Sequence, residues 1–272
     1  MGTAVSGWGI PLTVIGLAIV LAFLAACARP GMPAATPTEA TPTWDYVALG
    51  DSTPTGYGVQ KSYVDIYAEY IEADLGVTVR VQNWARNGQS AAQLLTALQG
   101  DEALRDDIHE AEVITIWTGA NDILPRVGIY PAGGICGKWG ELDMECVREG
   151  VTTLKATIDA IIAEILSLRS PDETLILIAD VGNPLASQWK ELGLLDELKG
   201  PVMEDWINHI GQAAEKNNLY VVHTYRVING PNGDNEGAPP EISQVDRLHF
   251  NDEGHRLLAD LHREVGYGPL VP

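Results

Sequence analysis

The chain has 272 residues, 46% of them hydrophobic, which is enough for a substantial core, and no second composition regime marks a second folded domain. Its net charge of −20 and pI near 4.5 argue against a basic surface for nucleic acid or anionic lipid, because phosphate-rich partners would be repelled. The acidity fits the solubility of an exported protein and carries no information about chemistry.

Residues 1–28 contain no charged side chain, and residues 10–26 are almost wholly apolar, the pattern of an export segment. The run ends Leu24-Ala25-Ala26-Cys27. Small residues before a cysteine resemble the lipobox of bacterial lipoproteins, which implies cleavage after residue 26 and lipidation of Cys27. The segment departs from that pattern in lacking Lys and Arg near its start. The rival reading is an uncleaved membrane helix over residues 8–26, barely long enough to span. Both readings place the domain outside the cytoplasm and on a membrane. Ala, Thr and Pro dominate residues 28–43, too poor in large apolar groups to fold, so this stretch reads as a semi-extended tether. The expected organisation is a signal peptide at 1–26, a lipidated Cys27 with its tether through 43, and one folded domain at 44–272.

Two cysteines remain, Cys136 and Cys146, in one Gly-rich loop. In an exported chain such a pair is expected to form a disulfide. A metal site is the alternative, and two cysteines without nearby histidines make a poor one.

Five short apolar runs, at residues 45–49, 77–84, 113–117, 174–179 and 219–223, read as strands. Between them lie helical patterns. Val151, Leu154, Ile158, Ile161, Ile162, Ile165 and Leu168 recur at three- and four-residue steps on one helix face. Tyr63, Tyr67, Tyr70, Ile71 and Leu75 do the same, and this aromatic stripe reads as core. A last helix is expected over residues 251–263. Strands alternating with helices imply parallel βαβ units, hence a three-layer α/β/α domain around a five-stranded parallel sheet. In such sheets, chemistry collects in the loops beyond the carboxyl ends of the strands. Two of the loops, 124–144 and 226–244, are long enough to act as walls or lids.

Each of those strand ends carries polar residues whose ordinary reading is a turn. The first is followed by Gly50-Asp51-Ser52, a turn with a helix cap, and the G-x-S-x-G elbow of α/β-hydrolases is absent. The second leads into Asn87-Gly88-Gln89-Ser90, with Ser90 capping a helix. The third leads into Gly119-Ala120-Asn121-Asp122. Near the C-terminus stands Asp246-Arg247-Leu248-His249, where an aspartate three residues before a histidine can accept its Nδ1–H bond and fix its tautomer. His255 and His262 follow on the last helix, too far apart for a compact metal site. The acidic stretch 232–236 lacks the ordered ligand spacing of a calcium loop and reads as a solvated loop.

Taken together and in this order, the segments are similar to the successive sequence blocks of the SGNH hydrolases, also called the GDSL esterase/lipase family, over residues 46–261. Residues 47–52 resemble the first block, Gly88 matches the glycine of the second, Asn121 the asparagine of the third, and Asp246 with His249 the last. Gly182-Asn183-Pro184 corresponds only loosely to the fourth block, and Phe250 stands where many relatives have proline. The resemblance implies Ser52 as nucleophile, His249 as acid–base and Asp246 as its orienter. It also implies an oxyanion hole made by the backbone N–H groups of Ser52 and Gly88 and the side-chain amide of Asn121. Asp51 and Asp122 are expected to support turns. The expected activity is carboxylic-ester hydrolysis through an acyl-enzyme, by a monomer needing neither cofactor nor metal. Acyl transfer to an alcohol, or a surface binding protein with a decayed triad, are the alternatives. Trp117 and Trp139 are candidates for the pocket wall.

Overall fold

The computed structural model describes residues 41–128, 132–138, 141–234, 241–244, 246 and 248–271. The chain opens with β1 (Thr43–Gly50), α1 (Ser52–Thr55), α2 (Tyr63–Leu75) and β2 (Thr78–Asn83). Next come α3 (Ala91–Gly100), α4 (Glu102–Glu110), β3 (Val113–Trp117) and α5 (Ala120–Val127). A two-residue hairpin, β4 (Gly137–Lys138) and β5 (Glu141–Leu142), precedes α6 (Met144–Leu166) and β6 (Leu175–Asp180). Then follow α7 (Ala186–Glu191), α8 (Leu195–Leu198), α9 (Asp205–Lys216), β7 (Tyr220–His223), α10 (Tyr225–Asn229) and α11 (Asp252–Glu264).

The five long strands form one parallel sheet in the order β2-β1-β3-β6-β7. β1 connects to one side and β3 lies on the other, so the β1/β3 gap is the topological switch point where ligands bind in open α/β sheets. Right-handed crossovers then send α2 to one face and α3, α6 and α9 to the other. α2 packs against α11, and α3, α6 and α9 pack in a row. This is the expected α/β/α architecture.

β3 and β6 are buried along their whole length, as strands covered on both faces must be. The α6 stripe from Val147 to Ile165 is buried, and each fully buried Leu or Ile of it contributes ~1.5–3 kcal/mol. Tyr63 and Tyr67 are core, with Tyr67 edge-on to Tyr46 at 5.8 Å. His255 and His262 also belong to the interior. His255 Nδ1 accepts the Tyr63 N–H at 3.0 Å, docking α11 on the start of α2, and the His262 ring stacks on Tyr63 at 4.6 Å. Burial pushes both imidazoles down to a pKa of about 4.

The sequence-based boundaries shift in four places, one of them the expected loop 226–244, whose start is the helix α10. β1 begins at Thr43, inside the expected tether, because Thr43 and Trp44 continue the ladder against Thr78 and Val79. The expected loop 124–144 is partly ordered structure. α5 occupies its start, and Asp143 begins α6 by accepting the N–H groups of Glu145 and Cys146. Between β6 and β7 the alternation of strands and helices implies a crossover helix without bounds, and three α-helices stand there. α9 has the spacing Trp206, Ile210, Ala213, Ala214 and is an amphipathic helix by pattern. Cys136 and Cys146 form a disulfide with Cα atoms 5.5 Å apart, tying the hairpin to the first turn of α6. Cys27, the export segment and Trp139 lie outside the described residues.

Candidate active site

The end of β1 is pressed against the end of β3. Gly50 pairs with Trp117, and a Cβ on Gly50 would sit 1.9 Å from the Trp117 carbonyl oxygen at a backbone φ of 142°. Only glycine fits there. The chain then turns at Asp51, whose N–H donates to Trp117 O at 3.3 Å and whose carboxylate accepts the Thr53 N–H at 3.0 Å as the cap of α1. Ser52 thereby opens a one-turn helix directly above the switch point.

Three segments converge on it. After β2, Arg86 N donates to Gly50 O at 2.9 Å, and the Asn87 side chain accepts the Thr55 hydroxyl at 2.6 Å, stitching the Gly88 turn to α1. Gly88 has φ 74° with open space where a Cβ would point, so its left-handed backbone rather than crowding calls for glycine. Ser90 and Gln93 make the capping box of α3. After β3, Asn121 donates one N–H to Gln89 O at 3.1 Å, leaving the second for another acceptor. Asp122 accepts the Ala91 N–H at 2.8 Å. It therefore supports the start of α3, a neighbouring element, and burial holds its carboxyl above the usual range.

The last segment brings His249 to Ser52. His249 Nε2 lies 3.1 Å from Ser52 Oγ, and His249 Nδ1 lies 2.6 Å from Asp246 Oδ2. The other Asp246 oxygen accepts the N–H groups of Leu248 at 3.0 Å and His249 at 3.1 Å. Burial pushes the Asp246 carboxyl up, but the hydrogen bonds from His249 and these two N–H groups outweigh it and hold it below the usual range. An ionised carboxylate can only accept, so Nδ1 carries a proton, and in the neutral tautomer Nε2 is the acceptor for the serine O–H. A hydroxyl bonded to an oriented neutral imidazole is the arrangement of an activated nucleophile.

Asp51 is different. Burial drives its carboxyl up to about 7, against the opposing pull of the Thr53 N–H and of nearby His249. It is a cap beside the site, as expected.

Ser52 and His249 face a cavity of about 410 Å³ that Asn121 also lines. Its apolar walls include Trp117, Leu124, Val181, Ile228, Leu248 and Phe250. Gly88 does not line it. Phe250, the departure from the proline of relatives, stands edge-on to Trp117 at 6.2 Å and is part of the wall. Gly182 and Pro184 of the loosely matching fourth block line the cavity as well. Asn183 between them is structural, exchanging hydrogen bonds with Asn229 at 2.7 and 3.0 Å. Sequence reasoning missed Tyr57, whose half-exposed ring lies 4.6 Å from the His249 imidazole, and the wall residues Val181 and Ile228. For Val181 the signal available was its place directly after β6, whereas Ile228 lies inside α10, beyond the end of β7.

The chain is 24% identical over 233 residues to the spore germination lipase LipC of Bacillus licheniformis, covering 84% of this chain and 99% of that one. Among solved structures it resembles the lipase Lip_vut3 from a goat rumen metagenome, with a TM-score of 0.68, 23% identity, and coverage of 84% of this chain and 100% of that one. It also resembles Axe2, an acetyl xylan esterase from Geobacillus stearothermophilus, with a TM-score of 0.56, 17% identity, and coverage of 84% and 97%. The model of the GDSL-like lipase/acylhydrolase family matches residues 46–261, from β1 through most of α11 and thus across every strand end described above. The chain belongs to that family and is an ester hydrolase.

Proposed function

We propose that this protein is an extracytoplasmic hydrolase of neutral carboxylic esters that works through an acyl-enzyme on Ser52. The observation that carries the proposal is the hydrogen-bonded chain from Ser52 Oγ through His249 to Asp246 at the edge of the cavity. Ser52 attacks the ester carbonyl carbon while its proton passes to Nε2. The resulting imidazolium is stabilised by Asp246 and returns the proton to the leaving alcohol. The developing oxyanion is received by the N–H groups of Ser52 and Gly88 and the second N–H of Asn121. Water, deprotonated by His249, then releases the acid.

The cavity lining supports an apolar acyl chain as the group it holds. Among the described residues, Asp51 and His249 are the ionisable ones that line it, and no described Lys or Arg stands there to balance an anionic substrate. The relatives include lipases and an acetyl xylan esterase, and the apolar walls favour the lipase side of that range. The location rests on the apolar leader and the Leu24-Ala25-Ala26-Cys27 sequence, with lipid on Cys27 as the anchor.

A panel of p-nitrophenyl esters of increasing acyl length tests the activity. Parental protein should hydrolyse them, and a folded Ser52→Ala variant should lose about 10⁴-fold or more in kcat. Mass spectrometry of membrane-extracted protein tests the anchor: an intact Met1 terminus with unmodified Cys27 would contradict it.

A further inference from the structure

The loop that carries the imidazole is joined to the segment that carries the serine by one side-chain amide. Gln244 Nε2 donates to Tyr57 O at 2.7 Å and to Phe250 O at 2.8 Å, and its backbone N–H donates to His249 O at 2.8 Å. Two carbonyl oxygens on one nitrogen fix the orientation of the amide and use both of its N–H groups. At one end of this link, Tyr57 N donates to Ser52 O at 3.2 Å and the Tyr57 ring packs on the imidazole. At the other, the segment preceding His249 folds back on the one following it, with Ser243 bridged to Phe250 and Asn251 N donating to Ile242 O. Gln60 N to Asp252 Oδ1, at 3.1 Å, adds a further tie at the head of α11.

We infer that Gln244 is a positioning residue, whose amide sets the reach of His249 Nε2 to Ser52 Oγ by locking the imidazole loop to the backbone behind the serine. The inference rests on the reading of Ser52 and His249 as a reacting pair and adds to it the part that holds their distance. Transfer of the serine proton depends on that distance, and a displacement of ~1 Å in such a pair can cost ~10²-fold in rate. Gln244 does not line the cavity that Ser52 and His249 face, so loss of the link acts on turnover and not on substrate affinity.

Three variants test this. Gln244→Met keeps the length of the side chain and removes both donors. Gln244→Lys restores donors, since an ammonium carries three. Gly58→Ala works from the opposite side, because Gly58 has φ 79° and its added Cβ would lie 2.6 Å from Gln244 Oε1, pushing the amide off Tyr57 O. With folding checked by circular dichroism, Gln244→Met should lower kcat and the rate of fluorophosphonate labelling of Ser52 by about 10–100-fold, with KM within about twofold. Gln244→Lys should recover most of that loss, and Gly58→Ala should reproduce it. A folded Gln244→Met variant that labels at the parental rate overturns the inference, as does a Gln244→Lys variant as slow as the Met variant. If Gln244→Met does not fold, parental labelling of Gly58→Ala overturns it. A parent that never labels at Ser52 overturns the hydrolase mechanism and this inference together, whereas a labelled parent with an equally fast Met variant overturns this inference alone.

Discussion

Asp122 accepts the backbone N–H of Ala91 at 2.8 Å, so the residue after Asn121 is fastened to the helix that begins just after Gly88. Two of the three proposed oxyanion donors are thereby held to one another by a carboxylate that is not itself a donor. With Asn121 Nδ2 on Gln89 O, two hydrogen bonds join the β3 loop to the β2 loop, and the amide is oriented before substrate arrives. That is the preorganisation an oxyanion hole requires.

Removing the amide should therefore act on the transition state. Asn121→Ala is expected to lower kcat by about 10²–10³-fold while changing KM little, by analogy with other oxyanion-donor deletions. Asp122→Ala should instead cost ~1–2 kcal/mol of stability, from the unpaired Ala91 N–H, with a smaller loss of turnover in the folded fraction. Steady-state kinetics and denaturant melts on both variants check the pair. A raised KM at unchanged kcat in Asn121→Ala would assign that residue to substrate binding.

The two buried histidines should weaken the fold in mild acid. His255 and His262 have folded pKa values of about 4 against an unfolded value near 6.5, so the unfolded chain binds more protons between those limits. Stability is then full above 6.5 and is lost as pH drops toward 4, by up to ~3 kcal/mol for each histidine. Asp51 runs the other way. Its folded pKa is raised to about 7, so its contribution is present at low pH and is lost as pH climbs from about 4 to 7. Asp122 and Asp180, also raised by burial, oppose the histidines as Asp51 does, so the histidine contribution is read as a difference between variants. In urea melts from about pH 4.5 to 6.5, His262→Phe should give a less positive slope than the parent, and identical slopes would contradict the account. Asp51→Asn, which keeps the cap, should stabilise the protein above pH 7.

The Cys136–Cys146 bond closes a separation of 10 residues. Cys136→Ser with Cys146→Ser is expected to lower stability by ~2–3 kcal/mol in a chain-entropy model. Chemical denaturation with and without reductant measures this, and overlapping curves for parent and double variant would show that the bond contributes nothing.

Acyl preference should follow the cavity. If the chain lies between Val181, Ile228 and Leu248, kcat/KM should rise by about fourfold per methylene until the walls are met. Ile228→Ala, which removes a buried wall residue packed on Gly182, should move the optimum to longer esters and destabilise the fold by ~2–4 kcal/mol. An unchanged length profile in the folded variant would place the acyl chain elsewhere.

Much of this fold was readable because its parallel strands are nearly continuous apolar runs and its largest helices carry clean stripes, as in residues 113–117 and in α6. Ser52, Gly88, Asn121, Asp246 and His249 were readable because each occupies a strand end or loop within a recognisable block. The links that hold them were not. Gln244 to Tyr57 spans 187 residues, Asp122 to Ala91 spans 31, and Asn121 to Gln89 spans 32. Such contacts run from a side chain to a backbone atom of a distant loop, and backbone atoms leave no residue-type pattern to read. The number and bounds of the helices between β6 and β7 were not readable for another reason. α7 and α8 are only 6 and 4 residues long, too short for a helical period to repeat, and the α9 stripe was overlooked beside them.

The central claim is that Ser52 carries the acyl group, and an acid-quenched reaction with a slowly hydrolysed p-nitrophenyl ester tests it most directly. Peptide mapping by mass spectrometry should find the acyl mass on the peptide containing Ser52, appearing with the burst of p-nitrophenol and absent from Ser52→Ala. Turnover with a burst and the acyl mass on any other residue, or an undiminished burst from folded Ser52→Ala, would contradict it.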